Sequence, residues 1–142
     1  MPRISKLYNG EEIFLTLTVV EWIGVFTKER YFKVLLDNLK FYQKNRGLLV
    51  FGFVFMVNHI HLIVSCKQGN LADIIRDYKK MTTKQIKQLL LQDRRNYILK
   101  LIKNSYYKKK NSEFQLWQRE NYPEYIETDK FFYQKLKYIH DN

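Results

Sequence analysis

The stretch Met56-Val57-Asn58-His59-Ile60-His61-Leu62-Ile63-Val64 closes the most apolar part of the chain, which begins at Leu48. Successive side chains of a β-strand point to opposite faces of its sheet. His59 and His61 therefore share one face, and Ile60 and Leu62 point to the other. The pattern predicts a strand that buries its aliphatic side chains and presents two imidazoles together.

Two imidazoles on one strand face can bind a divalent cation. The chain has only three histidines, and two of them lie in this stretch. Neutral imidazole is a common metal ligand, and two residues of separation along a strand bring both rings to one ion. The alternative is a strand with two structural histidines on its solvated face, because short motifs often arise by chance.

The order of apolar patterns predicts an α+β fold. Strand patterns alternate every second residue, helix patterns repeat every 3.6 residues, and Thr27, Gly47 and Asn70 are candidate helix ends. This gives an antiparallel sheet flanked by helices, in a ferredoxin-like or RRM-like layout, within one domain over residues 1–142. The predicted strands are 12–23, 48–57, 59–65 and, less regularly, 114–119; the predicted helices start at 28, 71, 94 and 128, with a polar loop over 108–112.

Composition excludes several classes of protein. The chain of 142 residues is 46% hydrophobic and 16% aromatic, which is typical of a folded domain with a core. It has no apolar run of about 18 residues and no signal-peptide core, so we expect neither a membrane span nor secretion. The single Cys66 fits the reducing cytoplasm and is expected to be a buried strand-end residue.

The positive charge is concentrated in one segment. The net charge is +11, and residues 76–110 hold twelve Lys or Arg against two Asp. Tyrosines interleave with these cations, a composition suited to phosphates and unpaired bases. Nucleic acid is therefore the leading partner class, ahead of a membrane surface. The candidate nucleic-acid-binding residues are Arg76, Lys79, Lys80, Lys84, Lys87 and Arg119.

The His-x-His stretch resembles the signature of the HUH single-strand nucleases. The run from Met56 to Val64 is similar to the corresponding block of the single-tyrosine transposases, particularly the REP-associated branch, although Val57 stands where a Pro is usual. The resemblance extends over most of the chain. It includes the Thr-Leu-Thr-Val-Val strand (residues 16–20), the Leu-Ala-Asp-Ile-Ile-Arg-Asp-Tyr-Lys-Lys helix (71–80), the Trp-Gln block (117–118) and the closing Lys-Leu-Lys-Tyr-Ile-His (135–140). Such proteins usually continue into an Asn-Pro, so the sequence is expected to be a short or a truncated member.

The resemblance implies a tyrosine nucleophile. In these transposases the nucleophile follows a Trp-Gln block, which indicates Tyr122, just before a Pro123 expected to start a helix; Tyr125 is the alternative. A free tyrosine, with a pKa of about 10, is a weak nucleophile and needs assistance. The implied reaction is nicking and joining of single-stranded or hairpin DNA through a 5′-phosphotyrosine.

The resemblance also implies a metal cofactor. His59 and His61 would bind Mg²⁺ or Mn²⁺, with a third ligand from the tyrosine-bearing segment: Glu127, Glu124 or Asn121. A homodimer is expected by analogy, because relatives can supply the tyrosine helix from a partner subunit. Three other functions stay open: a hydrolase that uses bound water, a non-catalytic DNA- or RNA-binding module, and a domesticated transposase that binds DNA without strand transfer.

Overall fold

The computed structural model describes residues 11–105 and 114–141. Its elements confirm the predicted α+β class, with an antiparallel sheet and flanking helices. They are β1 (Ile13–Thr18), a 3-10 turn (Val20–Trp22), α1 (Glu29–Arg46), β2 (Leu48–Phe55), β3 (His59–Cys66), α2 (Leu71–Gln92), α3 (Asn96–Lys103), β4 (Glu124–Tyr125) and α4 (Asp129–His140). Within these described residues, no helix is both long and apolar enough to cross a bilayer.

The sheet has the order β2-β3-β1-β4. β3 pairs antiparallel with both β2 and β1, so the strand of the histidine pair lies inside the sheet. In the β1–β3 register, Thr16 is opposite His61 and Thr18 is opposite His59. Opposed residues of antiparallel strands point to the same face. The two threonines and the two histidines therefore share one face.

The two faces of the sheet bury different clusters. On one face, Leu15, Leu17, Ile60 and Leu62 are completely buried in the main core with α1 and α2. On the other face, Phe14 and Ile63 form a smaller cluster with Ile139 of α4. The histidines belong to this second face. Helix α4 covers only part of it, and that partial cover is what makes a site possible there.

Local sequence explains three helix ends. Gly47 ends α1 in the left-handed conformation at φ 75°, as predicted. The side chain of Asn70 caps α2 by accepting from the Ala72 N–H. The Thr128 hydroxyl caps α4 by accepting from the Phe131 N–H. The predicted cap at Thr27 is wrong, because α1 begins after Lys28 with no side-chain cap.

The segment after α3 differs most from the prediction. Residues 114–119 contain one isolated bridge, Val19 to Trp117, whereas the paired strand is β4. Pro123 therefore precedes a strand and does not start a helix. The predicted helix over 94–107 is observed as Asn96–Lys103. Tyr106, Tyr107 and the predicted loop over 108–112 lie outside the described residues.

Candidate active site

The two histidines of β3 lie side by side. The centroids of their rings are 4.9 Å apart. The His61 side chain is buried, and the His59 side chain is half-buried. The strand alternation predicted from sequence is thus realised, with both rings on the face opposite the main core.

A hydrogen bond orients each imidazole through Nδ1. His61 Nδ1 lies 3.0 Å from Thr16 Oγ1, and His59 Nδ1 lies 2.8 Å from Asn58 Oδ1. The other end of the Asn58 amide donates to the Trp22 carbonyl, so Oδ1 must accept from His59. The His59 proton is therefore on Nδ1. This leaves the Nε2 lone pair for a ligand, and a Thr16 hydroxyl that accepts would do the same for His61.

Burial keeps both imidazoles neutral. Desolvation, followed by the charges of His59 and Lys135, lowers the pKa of His61 to about 4. Desolvation also lowers the pKa of His59. A metal ligand must be the neutral imidazole, so this environment favours the binding-competent form at neutral pH.

A tyrosine of α4, not singled out by sequence reasoning, lies against His61. The Tyr138 ring centroid is 5.3 Å from that of His61, and its side chain is 49% exposed. Phe14 stacks on the same imidazole at 5.1 Å. Tyr138 lies beside Ile139, which anchors α4 in the smaller cluster. Tyr138 lies in the closing Lys-Leu-Lys-Tyr-Ile-His, which belongs to the family resemblance. Because the chain has eleven tyrosines and this one is far from His61 in sequence, residue type and spacing did not show that the two side chains meet.

A lysine brings positive charge to the same place. Lys135 Nζ lies 4.5 Å from the Phe14 ring centroid and 5.8 Å from that of Tyr138. It also forms an ion pair with Glu124 at 3.2 Å. Lys135 is one helical turn before Tyr138, which explains why both reach the same face.

Tyr122 has a different environment. Its hydroxyl donates to Gln118 Oε1 at 3.3 Å, and its backbone has a φ of 47°. The Asn121 carbonyl accepts from the Thr16 N–H at 2.9 Å, so the segment lies beside β1. Among the described contacts, none joins Tyr122 to either histidine by a hydrogen bond or ring packing. Tyr125 pairs with Ile13 and packs on the main core.

The structure does not bring Glu127 to the histidines. The Ile126 N–H donates to the Glu12 carbonyl, so Glu127 lies beyond the end of β1 distant from the histidines. Thr16 is four positions after Glu12, which is about 13 Å along an extended chain. Of the other candidates, Glu124 pairs with Lys135 and Asn121 accepts from Lys79.

The donor set therefore consists of two imidazoles. Over residues 11–105 and 114–141, no group of three or more His, Cys, Asp or Glu is arranged to hold a metal. Two oriented, neutral imidazoles fit a divalent cation whose remaining ligands are oxygens of water or of a phosphate.

The predicted nucleic-acid-binding residues lie mainly on α2, on the other face of the sheet. Lys80, Lys84 and Lys87 are exposed, as is Arg119. Arg76 is exposed and pairs with Asp73 and Asp77. A groove of about 290 Å³ runs between α2 and residues 114–119, and Lys80 and Arg119 line it.

Lys79 differs from its neighbours because protein oxygens surround its ammonium. Nζ donates to the Gln118 carbonyl at 2.7 Å, the Arg119 carbonyl at 3.3 Å and Asn121 Oδ1 at 2.8 Å. Burial lowers the pKa of Lys79 to about 8, and the charge of Glu120 opposes that shift. Lys79 thus fastens residues 118–121 to α2, and its contact with phosphate stays a prediction.

Two solved structures share this fold. One is a REP-associated tyrosine transposase bound to a REP hairpin, with 16% identity, a TM-score of 0.68, and coverage of 99% of this chain and 71% of that one. The other is a protein from Deinococcus radiodurans assigned as a transposase, with 13% identity, a TM-score of 0.54, and coverage of 99% and 97%. No curated protein matches the sequence. The chain therefore shares the fold of these two proteins.

Comparison of the sequence with a family model assigns the chain to a family of transposases. The model of the IS200-like transposase family matches residues 15–129, which include β1 from Leu15 onward, the histidine pair and the Trp-Gln block. The protein belongs to the IS200-like transposase family.

Proposed function

We propose that this transposase cuts and joins single-stranded DNA through a tyrosine nucleophile beside a metal held by His59 and His61. One observation carries the proposal: two imidazoles with engaged Nδ1 atoms lie together, and a half-exposed tyrosine packs against one of them. Phosphodiester transfer requires a metal that activates the phosphate and a nucleophile that attacks it. The two imidazoles can bind the metal, and the phenol can act as the nucleophile.

The metal would be Mg²⁺ or Mn²⁺, held by the Nε2 atoms of the two histidines. When bound, it would polarise the scissile phosphate and neutralise part of its charge. Thr16 and Asn58 would keep the rings oriented for it. Imidazole ligation favours Mn²⁺ over Mg²⁺ on ligand type.

Tyr138 is the tyrosine favoured as nucleophile, because its ring packs against His61. In the proposed step its hydroxyl oxygen bonds to phosphorus, the bond from phosphorus to the 3′ oxygen breaks, the phenol proton passes to water and the 3′ oxygen takes up a proton. The product is a 5′-phosphotyrosine and a 3′-hydroxyl. Lys135, 5.8 Å from the ring centroid, would stabilise the negative charge that develops there. Tyr122 stays the prediction from sequence pattern, with Tyr125 as its alternative.

The DNA would contact both sides of the sheet edge formed by β4 and residues 116–121. Lys80 and Arg119 line the groove, and Lys84 and Lys87 are exposed on the same helix as Lys80, so these four residues offer cations for phosphates; Arg76 and Lys79 are further candidates. The solved relative bound to a REP hairpin supports hairpin DNA as the partner class.

The experiment that tests the chemistry is adduct formation. Wild-type protein is incubated with hairpin DNA carrying a single-stranded flank and Mn²⁺, and covalent protein–DNA species are resolved on a denaturing gel. Tyr138→Phe removes one oxygen and should abolish the adduct while DNA binding stays near wild type. Tyr133→Phe, another exposed tyrosine of α4, is the matched control and should retain the adduct.

The other outcomes discriminate between the candidates. Loss of the adduct in Tyr122→Phe but not in Tyr138→Phe would return the nucleophile to the Trp-Gln block. Free cleaved ends without any adduct would indicate a hydrolase that uses water. Binding without either product would favour the non-catalytic module.

Metal binding is tested separately. His59→Ala should abolish Mn²⁺ binding in a calorimetric titration, because it removes one of two imidazole ligands. His140→Ala is the control, since this exposed histidine lies at the end of α4. Equal Mn²⁺ affinity in wild type and His59→Ala would refute the metal assignment.

A further inference from the structure

An exposed tryptophan lies in a strained turn next to the histidine strand. Trp22 ends the 3-10 turn Val20–Trp22, and its side chain is 67% exposed. Glu21 and Trp22 have φ values of 54° and 52°, in the left-handed region that residues with a Cβ rarely adopt. Consecutive strained residues persist only where surrounding structure holds them, and they concentrate at functional sites.

The histidine motif itself holds this turn. The Val19 N–H donates to the Asn58 carbonyl at 2.9 Å, and Asn58 Nδ2 donates to the Trp22 carbonyl at 3.2 Å. The Oδ1 atom of the same amide accepts from His59 Nδ1 at 2.8 Å. One side chain therefore links the backbone of Trp22 to the ring of His59. The position of the indole and the orientation of the candidate ligand are coupled.

The other tryptophan, Trp117, is buried and has a structural role, in contrast to Trp22. Trp117 is 3% exposed, its Nε1 donates to Thr82 Oγ1 at 3.0 Å, and its ring packs on Phe26 at 5.5 Å. Trp22 makes no ring contact within the described part of the chain. A large aromatic surface in water is costly, so an indole held out by a strained turn indicates a partner with a flat apolar face.

We propose that the Trp22 indole stacks on an unpaired nucleobase next to the phosphate bound at the histidine pair. This inference rests on the proposed function for its substrate. Every base has a π-face, and stacking on an aromatic side chain is independent of base identity. Glu21, the residue before Trp22, is exposed, and its negative charge disfavours a phosphate at this turn, so the base rather than the backbone of the DNA strand faces the turn. Trp22 would thus set which phosphate reaches the histidines.

Fluorescence tests the inference, because the chain has only two tryptophans and one of them is buried. Oligodeoxythymidine is titrated into the protein while binding is followed independently by the anisotropy of a label on the DNA. Wild type should show quenched tryptophan emission with the same midpoint as binding, and the quenching should be absent in Trp22→Phe. A duplex of equal length should quench much less.

Affinity separates stacking from simple apolar contact. Trp22→Ala and Trp22→Leu should weaken single-strand binding by about 5- to 150-fold, whereas Trp22→Phe should retain most of the affinity. Phe41→Ala removes a half-exposed aromatic ring on α1 and should change affinity less than about twofold. Thermal unfolding checks that the variants are folded, and the exposed position of Trp22 makes loss of the fold unexpected.

The results distinguish this inference from the proposed function. Failure of wild type to bind the single strand, or binding without quenching, overturns the stacking assignment even if the covalent adduct forms. Equal affinity of Trp22→Leu and Trp22→Phe also overturns it, because only one of them retains a π-face. Quenching and weakened binding without any adduct would support stacking and refute strand transfer.

Discussion

Replacement of Thr16 by Val tests whether the strand opposite the histidines prepares the metal ligand. The change removes a hydroxyl and keeps the side-chain shape. It deletes the 3.0 Å contact with His61 Nδ1, and the His61 side chain is only 6% exposed, so water replaces the lost partner poorly. An unsatisfied buried polar group costs about 1–3 kcal/mol. The ring can recover part of this by moving its proton to Nε2, which removes the lone pair needed for a metal.

The expected result is a loss of metal affinity with little change in fold. Removal of a partner that orients a ligating histidine typically lowers metal affinity about 10- to 100-fold. Calorimetric titration of Mn²⁺ into wild type and Thr16→Val measures this, and denaturant unfolding of both measures stability. Thr18→Val is the matched control, because Thr18 lies opposite His59, whose Nδ1 bonds to Asn58 instead.

Two results would refute the reasoning. Mn²⁺ affinity within about twofold of wild type in Thr16→Val would mean that the hydroxyl does not orient the ligand. An equal loss in Thr18→Val would mean that any change at this strand face disturbs the site, so that the hydrogen bond is not the cause.

Three further predictions concern the basic helix and its attachments. Lys79→Met leaves three acceptor oxygens without their donor and should lower the free energy of unfolding, measured in urea, by about 2 kcal/mol. The control Lys80→Met should lower it by less than about 0.5 kcal/mol. Equal effects of the two substitutions would contradict the role of Lys79 in fastening residues 118–121 to α2. The hydrogen bond from Tyr31 lowers the pKa of Asp93, so its stabilisation is complete above the unfolded pKa of about 4 and is lost as pH falls through the lower folded value. The melting temperature of Asp93→Asn should therefore fall less steeply than that of wild type between about pH 4 and pH 2; parallel curves would exclude this carboxylate. If about six cations of residues 76–110 contact phosphate, the logarithm of the single-strand binding constant should fall with the logarithm of salt concentration at a slope of about −4, and a slope near zero would exclude their electrostatic role.

Local patterns predicted the elements well where one principle dominated. Gly47 ended α1 because its left-handed conformation is easily reached only without a Cβ. Asn70 began α2 because its short side chain accepts from a free N–H of the first turn. The segment after α3 was predicted poorly, since β4 is two residues long and forms only by pairing with β1. Its strand character comes from a partner more than a hundred residues earlier.

The sequence by itself determined that His59 and His61 share one face, because alternation along a strand needs no knowledge of the rest of the chain. It also determined the excess of positive charge and the family resemblance, which the IS200-like family match supports. Tertiary structure alone decided which groups meet the histidines. The packing of α4 on the sheet sets Tyr138 and Lys135 near His61, and the pairing of β1 with β3 supplies Thr16. These contacts join residues 45 to 77 positions apart, and only long-range burial of Phe14, Ile63 and Ile139 brings them together.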